Sequence, residues 1–580
     1  MRRVCIAPFF IIAAMLQHSR KRLSRQNGPN RGRKMQPEAS RTSSAFVPLG
    51  QATRWEIAAA VLSIAIVAAW LWCPSIRFGF VYDDHLQIES NPELRSWAGL
   101  IRSLHEPLWA QFGPERASPY YRPLFSSLLW AQNAVFGPNP LLWHLVAIGL
   151  HILVALALFS FLLLHFRRVF PAWVAACVFA FSPLTAEVVN WVSAENESEC
   201  VLFFLLALCG YSLSYRIVPF RHAVPLRYLS AAMLALAVFS KETAAAAIPL
   251  AYIYEAAFLC EPRSRPDLRT YAPVILPLIV FLLVHPFPHF SSTRPFVHVL
   301  STIPTVATFA IRKLVWPLPV SEFYDLWIDQ AHSAVSIAMQ IGLLALIAGV
   351  CGWLATRSRF VAWTLLVIFL PMTISLAGLA FFRDYDLFHD RYLYWPFAGC
   401  AMLVAAAIAK AVSFPRLGKI VIGAVVLVLC TEAGLSRLVS DQFSNDLALY
   451  AHAVDVAPHN IVALQLIAEA NLRLQDCPAA LGHLQQAEQL RPDLWQTSFY
   501  LGIGELRCGL TAQSATYLKQ STVAQGATKQ QLALSWYELG RVEMKQGDTR
   551  QAKAALQQAA MYDPGSTKIR TLLEEVEPVQ

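Results

Sequence analysis

The residues best suited to chemistry come in short polar clusters beside long apolar runs. Asp83 and Asp84 are adjacent and follow the first long run. Neighbouring carboxylates near a low-dielectric surface repel each other, so one of them should hold its proton more tightly. That property suits a general base or half of a metal-binding pair. The simpler alternative is structural, because Asp84 could cap the helix that follows.

Three further clusters offer cations of the kind that binds phosphate. Arg122 follows two tyrosines, and its planar fork matches a phosphate group, although snorkelling towards lipid headgroups would also explain it. Lys241 precedes Glu242 at a turn between two apolar runs, where a cation can meet an anionic ligand. Arg391 opens a later apolar run in the segment HDRYLYWP and would lie at the depth of lipid headgroups.

The fifth cluster is acidic. Glu187 ends one apolar run, and Glu195, Glu197 and Glu199 follow it closely. Carboxylates so near a bilayer are costly and usually functional. Together with basic phosphate holders, they suit the transfer of a group from a phosphate-bearing lipid.

The elements that must position these clusters are predicted to be membrane-spanning helices. Of the 580 residues, 56% are hydrophobic and only 15% are charged, whereas a soluble protein carries roughly 25% charge. Apolar runs in lipid must satisfy their backbone hydrogen bonds internally, which favours helices. The sequence predicts an all-α transmembrane bundle of about eleven spans, near residues 55–73, 141–165, 171–187, 198–215, 228–240, 243–260, 271–286, 334–355, 360–381, 391–411 and 418–437.

The short loops alternate in basic content, and this alternation predicts the orientation of the bundle. A basic segment, residues 1–50, is predicted to be disordered, and it precedes the first span. Placing it in the cytosol puts every basic loop there too, as the positive-inside rule requires. A nucleic-acid-binding tail is the less favoured explanation, so no nucleic-acid partner is expected. The five clusters then share the outer face of a membrane domain over 51–440, which has an outer loop at 74–140 and an outer interfacial segment at 287–332.

Polar groups near mid-membrane are scarce, and this argues against a transporter, whose binding groups would lie at that depth. His144 and His151, seven residues apart in the second predicted span, are a partial exception. Their position is better explained by helix packing than by ligand binding.

Residues 441–580 repeat with a period of about 34 residues, which predicts a tetratricopeptide-repeat α-solenoid on the outer side. Ala468 and Gly502 are 34 residues apart, and Gly540 follows 38 residues later, so that small residues recur where paired helices would cross. Such stacks bind extended peptides or partner proteins. Cys477 and Cys508 could form a disulfide in an oxidising compartment, or they could be two buried thiols.

Six segments, in their order along the chain, carry a family resemblance. They are FVYDDHLQIESNPEL, YYRPL, HLVAIGLH, FSPLTAEVVNWVSAENE, SKETAAAAIP and HDRYLYWP. The chain resembles the multi-spanning C-type glycosyltransferases, and most closely the transmembrane-and-tetratricopeptide proteins related to protein O-mannosyltransferases. The resemblance implies an inverting transfer of a sugar from a polyprenyl-phosphate donor to a protein Ser/Thr or glycan hydroxyl outside the cytosol.

The resemblance also implies residue roles. The expected set is a base at Asp83 or Asp84, donor-phosphate contacts at Arg391, Arg122 and Lys241, and acceptor or metal contacts at Glu187 and Glu242. A divalent metal ion is the only cofactor considered. The repeats would select the acceptor and stand beyond the membrane, away from the bond that breaks. They number only about three and a half, which puts the protein acceptors of eukaryotic members in doubt here. The alternative function is a non-enzymatic membrane scaffold that recruits envelope proteins through the repeats.

Overall fold

A computed structural model describes residues 53–112, 120–216, 220–261, 264–284, 296–328, 333–380, 385–524 and 527–576. Every regular element in these ranges is helical, which confirms the predicted all-α class. The basic segment 1–50 lies outside the described residues. The membrane domain contains the α-helices α1 Arg54–Trp72, α2 Trp97–Ser103, α3 Pro123–Phe136, α4 Pro140–Phe166, α5 Val169–Phe181, α6 Ala186–Asn190, α7 Glu195–Arg216, α8 Phe220–Ser240, α9 Ala247–Tyr254, α10 Ala272–Val284, α11 Phe296–Val315, α12 Ala334–Arg357, α13 Arg359–Ala377, α14 Tyr394–Ala411 and α15 Pro415–Ser440.

Within these described ranges, eight helices are long and apolar enough to cross a membrane, and each coincides with a predicted span. The predicted span 171–187 corresponds to α5 and α6, a pair bent by 55° that would make a ninth span. The predicted span 243–260 is broken into α9 and irregular helical turns on either side. The helix α10 is shorter, and it runs up to residues that the structure does not describe. The described residues therefore support eight or nine candidate spans, against the eleven predicted.

Two contacts show which loops share an end of the bundle. Arg168, just before α5, donates from Nη1 to the carbonyl of Ala409, 3.0 Å away near the end of α14. Arg216, at the end of α7, donates to the carbonyl of Leu164 over 2.6 Å. These basic residues therefore lie at the end of the bundle opposite to Arg391, which precedes α14. The predicted separation of basic loops from the polar clusters agrees with these contacts, and the orientation in the membrane stays a prediction.

The C-terminal part is a series of paired helices. Its helices are α16 Asp446–Val456, α17 Ile461–Arg473, α18 Cys477–Leu490, α19 Trp495–Arg507, α20 Thr511–Ser521, α21 Lys529–Gln546, α22 Thr549–Tyr562 and α23 Thr567–Val576. Consecutive helices from α17 to α22 pack against each other, and the small residues at matched offsets lie between them. At Gly502, an added Cβ would lie 2.8 Å from Cγ of Leu518 in the partner helix, so only glycine allows this approach. The tetratricopeptide assignment itself stays a prediction.

A disulfide joins Cys477, at the start of α18, to Cys508, just after α19. The first of the two alternatives for these cysteines is therefore the one that the structure contains. Stable disulfides form in oxidising compartments, so this bond favours an outer location for the C-terminal helices.

From the sequence we expected the C-terminal helices to stand beyond the membrane. In the structure they contact the membrane domain directly. Asn460 donates from Nδ2 to the carbonyls of Tyr324 and Tyr385, at 2.8 and 2.7 Å. A ring nitrogen of His452 lies 2.8 Å from the carbonyl of Val320. Because residues 320–324 and 385 lie in the segments that lead to Arg391, the C-terminal domain packs on the same end of the bundle as the polar clusters.

Close helix contact at Gly540 gives a test of this packing. A Cβ there would lie 2.7 Å from Cγ of Leu556, which is fully buried, and 3.3 Å from the carbonyl of Ala552. We expect Gly540→Ala to destabilise the C-terminal helices by about 1 kcal/mol, because overpacking outweighs the gain in helix propensity. Gly482→Ala is the matched control, since a Cβ at Gly482 meets nothing within 4 Å. Thermal unfolding of the two variants is detected by proteolysis of the C-terminal domain. The unfolding temperature should fall for Gly540→Ala and rise for Gly482→Ala; equal shifts would contradict the packing.

Candidate functional site

Five of the seven predicted site residues line one cavity of about 170 Å³ at the end of the bundle where the polar clusters lie. They are Asp83, Arg122, Lys241, Glu242 and Arg391. These residues come from four segments that are far apart in sequence, so the fold brings together what the sequence only placed on one face. Glu187 and Asp84 do not line the cavity but contact its wall. The rest of the wall mixes polar and aliphatic side chains with the aromatic residues Trp109, Tyr120, Phe125, Trp191 and Tyr392.

Arg391 is the cation at the centre of this arrangement. Its Nη1 donates to Oε1 of Glu187 at 2.5 Å and to Oε1 of Glu322 at 2.9 Å. Its backbone N–H donates to Oε2 of Glu187 at 3.0 Å, and its guanidinium carbon lies 4.6 Å from the Trp191 ring centre. Among the described residues, no acceptor meets Nε or Nη2. Since arginine has five N–H donors, one edge of the fork remains available to a phosphate in the cavity.

The two adjacent aspartates have different surroundings. Asp84 is fully buried, and its Oδ1 accepts from the backbone N–H and the hydroxyl of Ser193 at 2.9 and 2.5 Å. Its Oδ2 accepts from the N–H of Val81 at 3.1 Å. Asp84 therefore fixes the loop to the turn before α7, and its side chain does not cap the following helical turn. No donor in the described part of the chain reaches the Asp83 carboxylate, which lines the cavity.

The pKa of Asp83 suits proton transfer near neutral pH. Burial, together with the charges of Glu322 and Asp386, raises this pKa to about 7 against the attraction of Arg391. Burial also raises the pKa of Asp84 to about 7, despite its hydrogen bonds to Ser193 and Val81. Access to the cavity, rather than pKa, therefore distinguishes Asp83 from Asp84.

The other two cavity cations are each paired. Arg122 donates from Nε and Nη2 to the two oxygens of Glu242, at 3.0 and 2.8 Å. This pairing holds the pKa of Glu242 below its usual value although burial alone would raise it. Lys241 is buried, forms an ion pair with Glu197 and lies 5.3 Å from the ring centre of Tyr392. The cavity thus combines one carboxylate without a donor and three cations held by carboxylates.

Glu187, Glu322 and His389 lie close enough together to suggest a metal site. However, Nδ1 of His389 lies 2.9 Å from the carbonyl of Glu322, and Nε2 lies 2.9 Å from Oδ1 of Asp386. Burial and Arg391 lower the pKa of His389, but Glu322 and Asp386 outweigh them and raise it to about 10. Arg391 bonds both glutamates, and both ring nitrogens of His389 meet protein acceptors, so in this arrangement all three residues already have protein partners.

A second buried cation, Lys313, binds Asp390, the residue before Arg391. Nζ of Lys313, in α11, lies 3.0 Å from Oδ1 of Asp390 and donates to the hydroxyl of Tyr324 at 2.8 Å. The same hydroxyl donates to Oδ2 of Asp390 at 2.6 Å. These bonds connect α11, in the predicted interfacial segment, to the residue before Arg391. Sequence reasoning missed Glu322 and Lys313 as site residues, because neither belongs to a recurring motif.

The two histidines of α4 are packing residues, as predicted. His151 is buried, with Nδ1 lying 2.8 Å from the hydroxyl of Tyr394 and Nε2 lying 3.1 Å from the carbonyl of Ala180. His144 is also buried and lies 3.4 Å from the carbonyl of Gly79. Neither histidine lines the cavity.

The fold and the cavity define a polytopic membrane protein with a charged site at one end of its helical bundle, under a domain of paired helices. Its sequence is similar to several curated proteins. It is 25% identical over 483 residues to the mouse protein O-mannosyl-transferase TMTC3, covering 74% of this chain and 51% of the mouse protein. It is 32% identical over 143 residues to human protein O-mannosyl-transferase TMTC1, covering 24% of this chain and 16% of the human protein.

A third relative is human protein O-mannosyl-transferase TMTC4, 28% identical over 173 residues, or 27% of this chain and 23% of that protein. The chain therefore spans about half the length, or less, of the curated relatives it matches. No family model matches the sequence. The similarities confirm the family resemblance that the ordered motifs indicated: the chain is similar to the TMTC proteins.

The contrast between Asp83 and Asp84 gives a test by stability. Asp84→Ala would leave the donors of Val81 and Ser193 buried without acceptors, and we expect a loss of about 2–3 kcal/mol. Asp83→Ala removes no acceptor from a donor and should unfold close to the wild-type temperature. Thermal unfolding of both purified variants measures this difference. Equal destabilisation would show that the loop has a different arrangement.

Proposed function

We propose that this protein is a membrane glycosyltransferase that transfers a sugar from a polyprenyl-phosphate donor to an acceptor hydroxyl. The observation that carries the proposal is the cavity in which the Asp83 carboxylate lies beside the cations Arg391, Arg122 and Lys241. A base without a donor and a set of phosphate-type cations are the two parts that such a transfer needs. The names of the TMTC relatives support an O-mannosyl-type transfer.

The proposed reaction is a single displacement at the anomeric carbon. Asp83 takes the proton of the acceptor hydroxyl while the hydroxyl oxygen forms a bond to the anomeric carbon. The bond from that carbon to the donor phosphate oxygen breaks, and the polyprenyl phosphate leaves with the electron pair. Attack on the face opposite the phosphate inverts the configuration, and no second carboxylate is needed as a nucleophile.

The basic residues have different parts in holding the donor. Arg391 would bind the phosphate through Nε and Nη2. Glu187 orients Arg391, because its carboxylate accepts from both the side chain and the backbone N–H of Arg391. Arg122 and Lys241 would balance the growing charge of the leaving phosphate. Glu242 then acts as the carboxylate that positions Arg122, rather than as an acceptor or metal contact.

The same proposal includes the location and the partners. The N-terminus would lie in the cytosol, and the cavity and the C-terminal helices on the outer, periplasmic or luminal, side. The Cys477–Cys508 disulfide supports an outer location for those helices. The acceptor would be a protein Ser/Thr or a glycan hydroxyl, with the C-terminal helices contributing to its selection.

The test is an incubation of the purified full-length protein with labelled polyprenyl-phosphate mannose, glucose and galactose and an extract of envelope acceptors. We expect transfer from one donor, and we expect Asp83→Asn to lower the rate by roughly 10²–10⁴-fold while donor binding persists. Arg391→Ala should weaken donor binding, since alanine cannot make paired contacts to phosphate.

Glu469→Gln, on the surface of the C-terminal helices, is the control and should behave as wild type. Absence of donor binding and transfer with all three sugars, in folded protein, would favour the scaffold function instead. Normal transfer by Asp83→Asn would show that another group is the base.

The pKa of Asp83 also predicts a pH dependence. Because this pKa is raised to about 7, the carboxylate is protonated at lower pH and cannot act as a base. We expect kcat/KM to rise about tenfold per pH unit below pH 7 and to level off above it. Initial rates between pH 5 and pH 9 measure the profile. If kcat/KM instead rises and levels off around pH 4, Asp83 is well solvated or is not the base.

A further inference from the structure

We propose that Asp446, a residue of the C-terminal helical domain, is a positioning residue that holds Asp83 at the cavity. This inference rests on the proposed function for its catalytic consequence, while the contact itself can be tested separately. It assigns the C-terminal domain a direct part in the active site, in addition to any part in acceptor selection.

The first argument is the hydrogen bond to the residue before Asp83. Oδ1 of Asp446 accepts from the backbone N–H of Tyr82 at 3.0 Å. Tyr82 has a φ of 53°, in the left-handed region that a bulky side chain rarely adopts. Such a backbone persists only when the surroundings over-determine it. Asp446 supplies one of the bonds that do so, and it acts on the residue next to the proposed base.

The second argument is that the same carboxylate binds the other side of Asp83. Oδ2 of Asp446 lies 3.0 Å from Nε2 of His85 and 3.0 Å from Nη1 of Arg473. The hydrogen bond to Asp446 raises the pKa of His85 to about 9, so His85 is a cation at neutral pH. Asp446 therefore contacts residues on both sides of the Asp83–Asp84 pair.

The surrounding contacts reinforce this junction. The N–H of Gly79 donates to the carbonyl of Ser444 at 3.1 Å, two residues before Asp446. The Tyr82 ring contacts Phe323 and Tyr450, with ring centres 5.8 and 6.4 Å apart. Asp446 is also the first residue of α16, where the helix dipole favours a carboxylate. The loop is thus attached to the C-terminal domain both before and after the position of Asp83.

Loss of Asp446 should then affect turnover more than donor binding. Arg391 and the other cations lie on elements that Asp446 does not touch, so the phosphate site should persist. Asp83, in contrast, would lose its fixed position, and a displacement of about 1 Å can lower the rate by roughly a hundredfold. A purely structural residue would lower the amount of folded protein without changing kcat and KM differently.

The experiment compares Asp446→Ala and Asp446→Asn with Glu469→Ala in the full-length protein. Glu469 is a matched control, because it pairs with Arg473 and Arg507 on the same domain but does not contact the loop. Two quantities are measured: kcat and KM for polyprenyl-phosphate mannose, and hydrogen–deuterium exchange of the peptide containing Tyr82. Asp446→Asn keeps an acceptor for the Tyr82 N–H. It provides a second test of the proposal if the alanine variant misfolds.

We expect Asp446→Ala to lower kcat by roughly tenfold to a hundredfold, with KM within twofold, and to speed exchange at Tyr82. Asp446→Asn should have a smaller effect of the same kind, and Glu469→Ala none. Unchanged exchange at Tyr82, or faster exchange with unchanged kcat, would overturn the proposal. If the wild-type protein transfers no sugar while exchange responds to Asp446, the proposed function fails and the loop contact stands.

Discussion

The arrangement of the site depends on one cation shared between two buried carboxylates. Arg391 bonds Glu187, in α6, and Glu322, in the segment after α11, through a single nitrogen. Without it, the two buried carboxyl groups would lose the cation that they share, and the bond between α6 and the start of α14 would be lost. The guanidinium therefore joins three separate parts of the chain at the edge of the cavity.

The same pairing explains how a low-dielectric region can hold so many charges. Unpaired ions are expensive to bury, but hydrogen-bonded pairs of fixed geometry are tolerated. In the cavity the cations Arg122 and Lys241 have carboxylate partners. The Asp83 carboxylate, in contrast, has no hydrogen-bond donor among the described residues. The protein thus holds its cations in place before any phosphate arrives, which reduces the reorganisation that the reaction would otherwise require.

Sequence periodicity and loop charge were sufficient to predict the helical class, eight of the spans and the collection of the polar clusters at one end. They could not distinguish Asp83 from Asp84, because that difference arises from Ser193, which is 109 residues away from Asp84. Glu322 and Lys313 were missed for a similar reason: their partners Arg391 and Asp390 lie 69 and 77 residues further along the chain, and no motif links them. The contacts of Asn460 and Asp446 with the membrane domain could not be predicted either, since they follow no repeat pattern.

The bond between Tyr82 and Asp446 has a consequence for biosynthesis. The two residues are 364 positions apart, and ribosomes add about 5–20 residues per second, so roughly 20–70 s separate their synthesis. During that interval the loop that contains Asp83 and Asp84 lacks its bond to Asp446, because the later part of the chain has not yet been made. The site can be completed only after the bundle has been threaded through the membrane, which makes assembly of this loop one of the last events in the maturation of the protein.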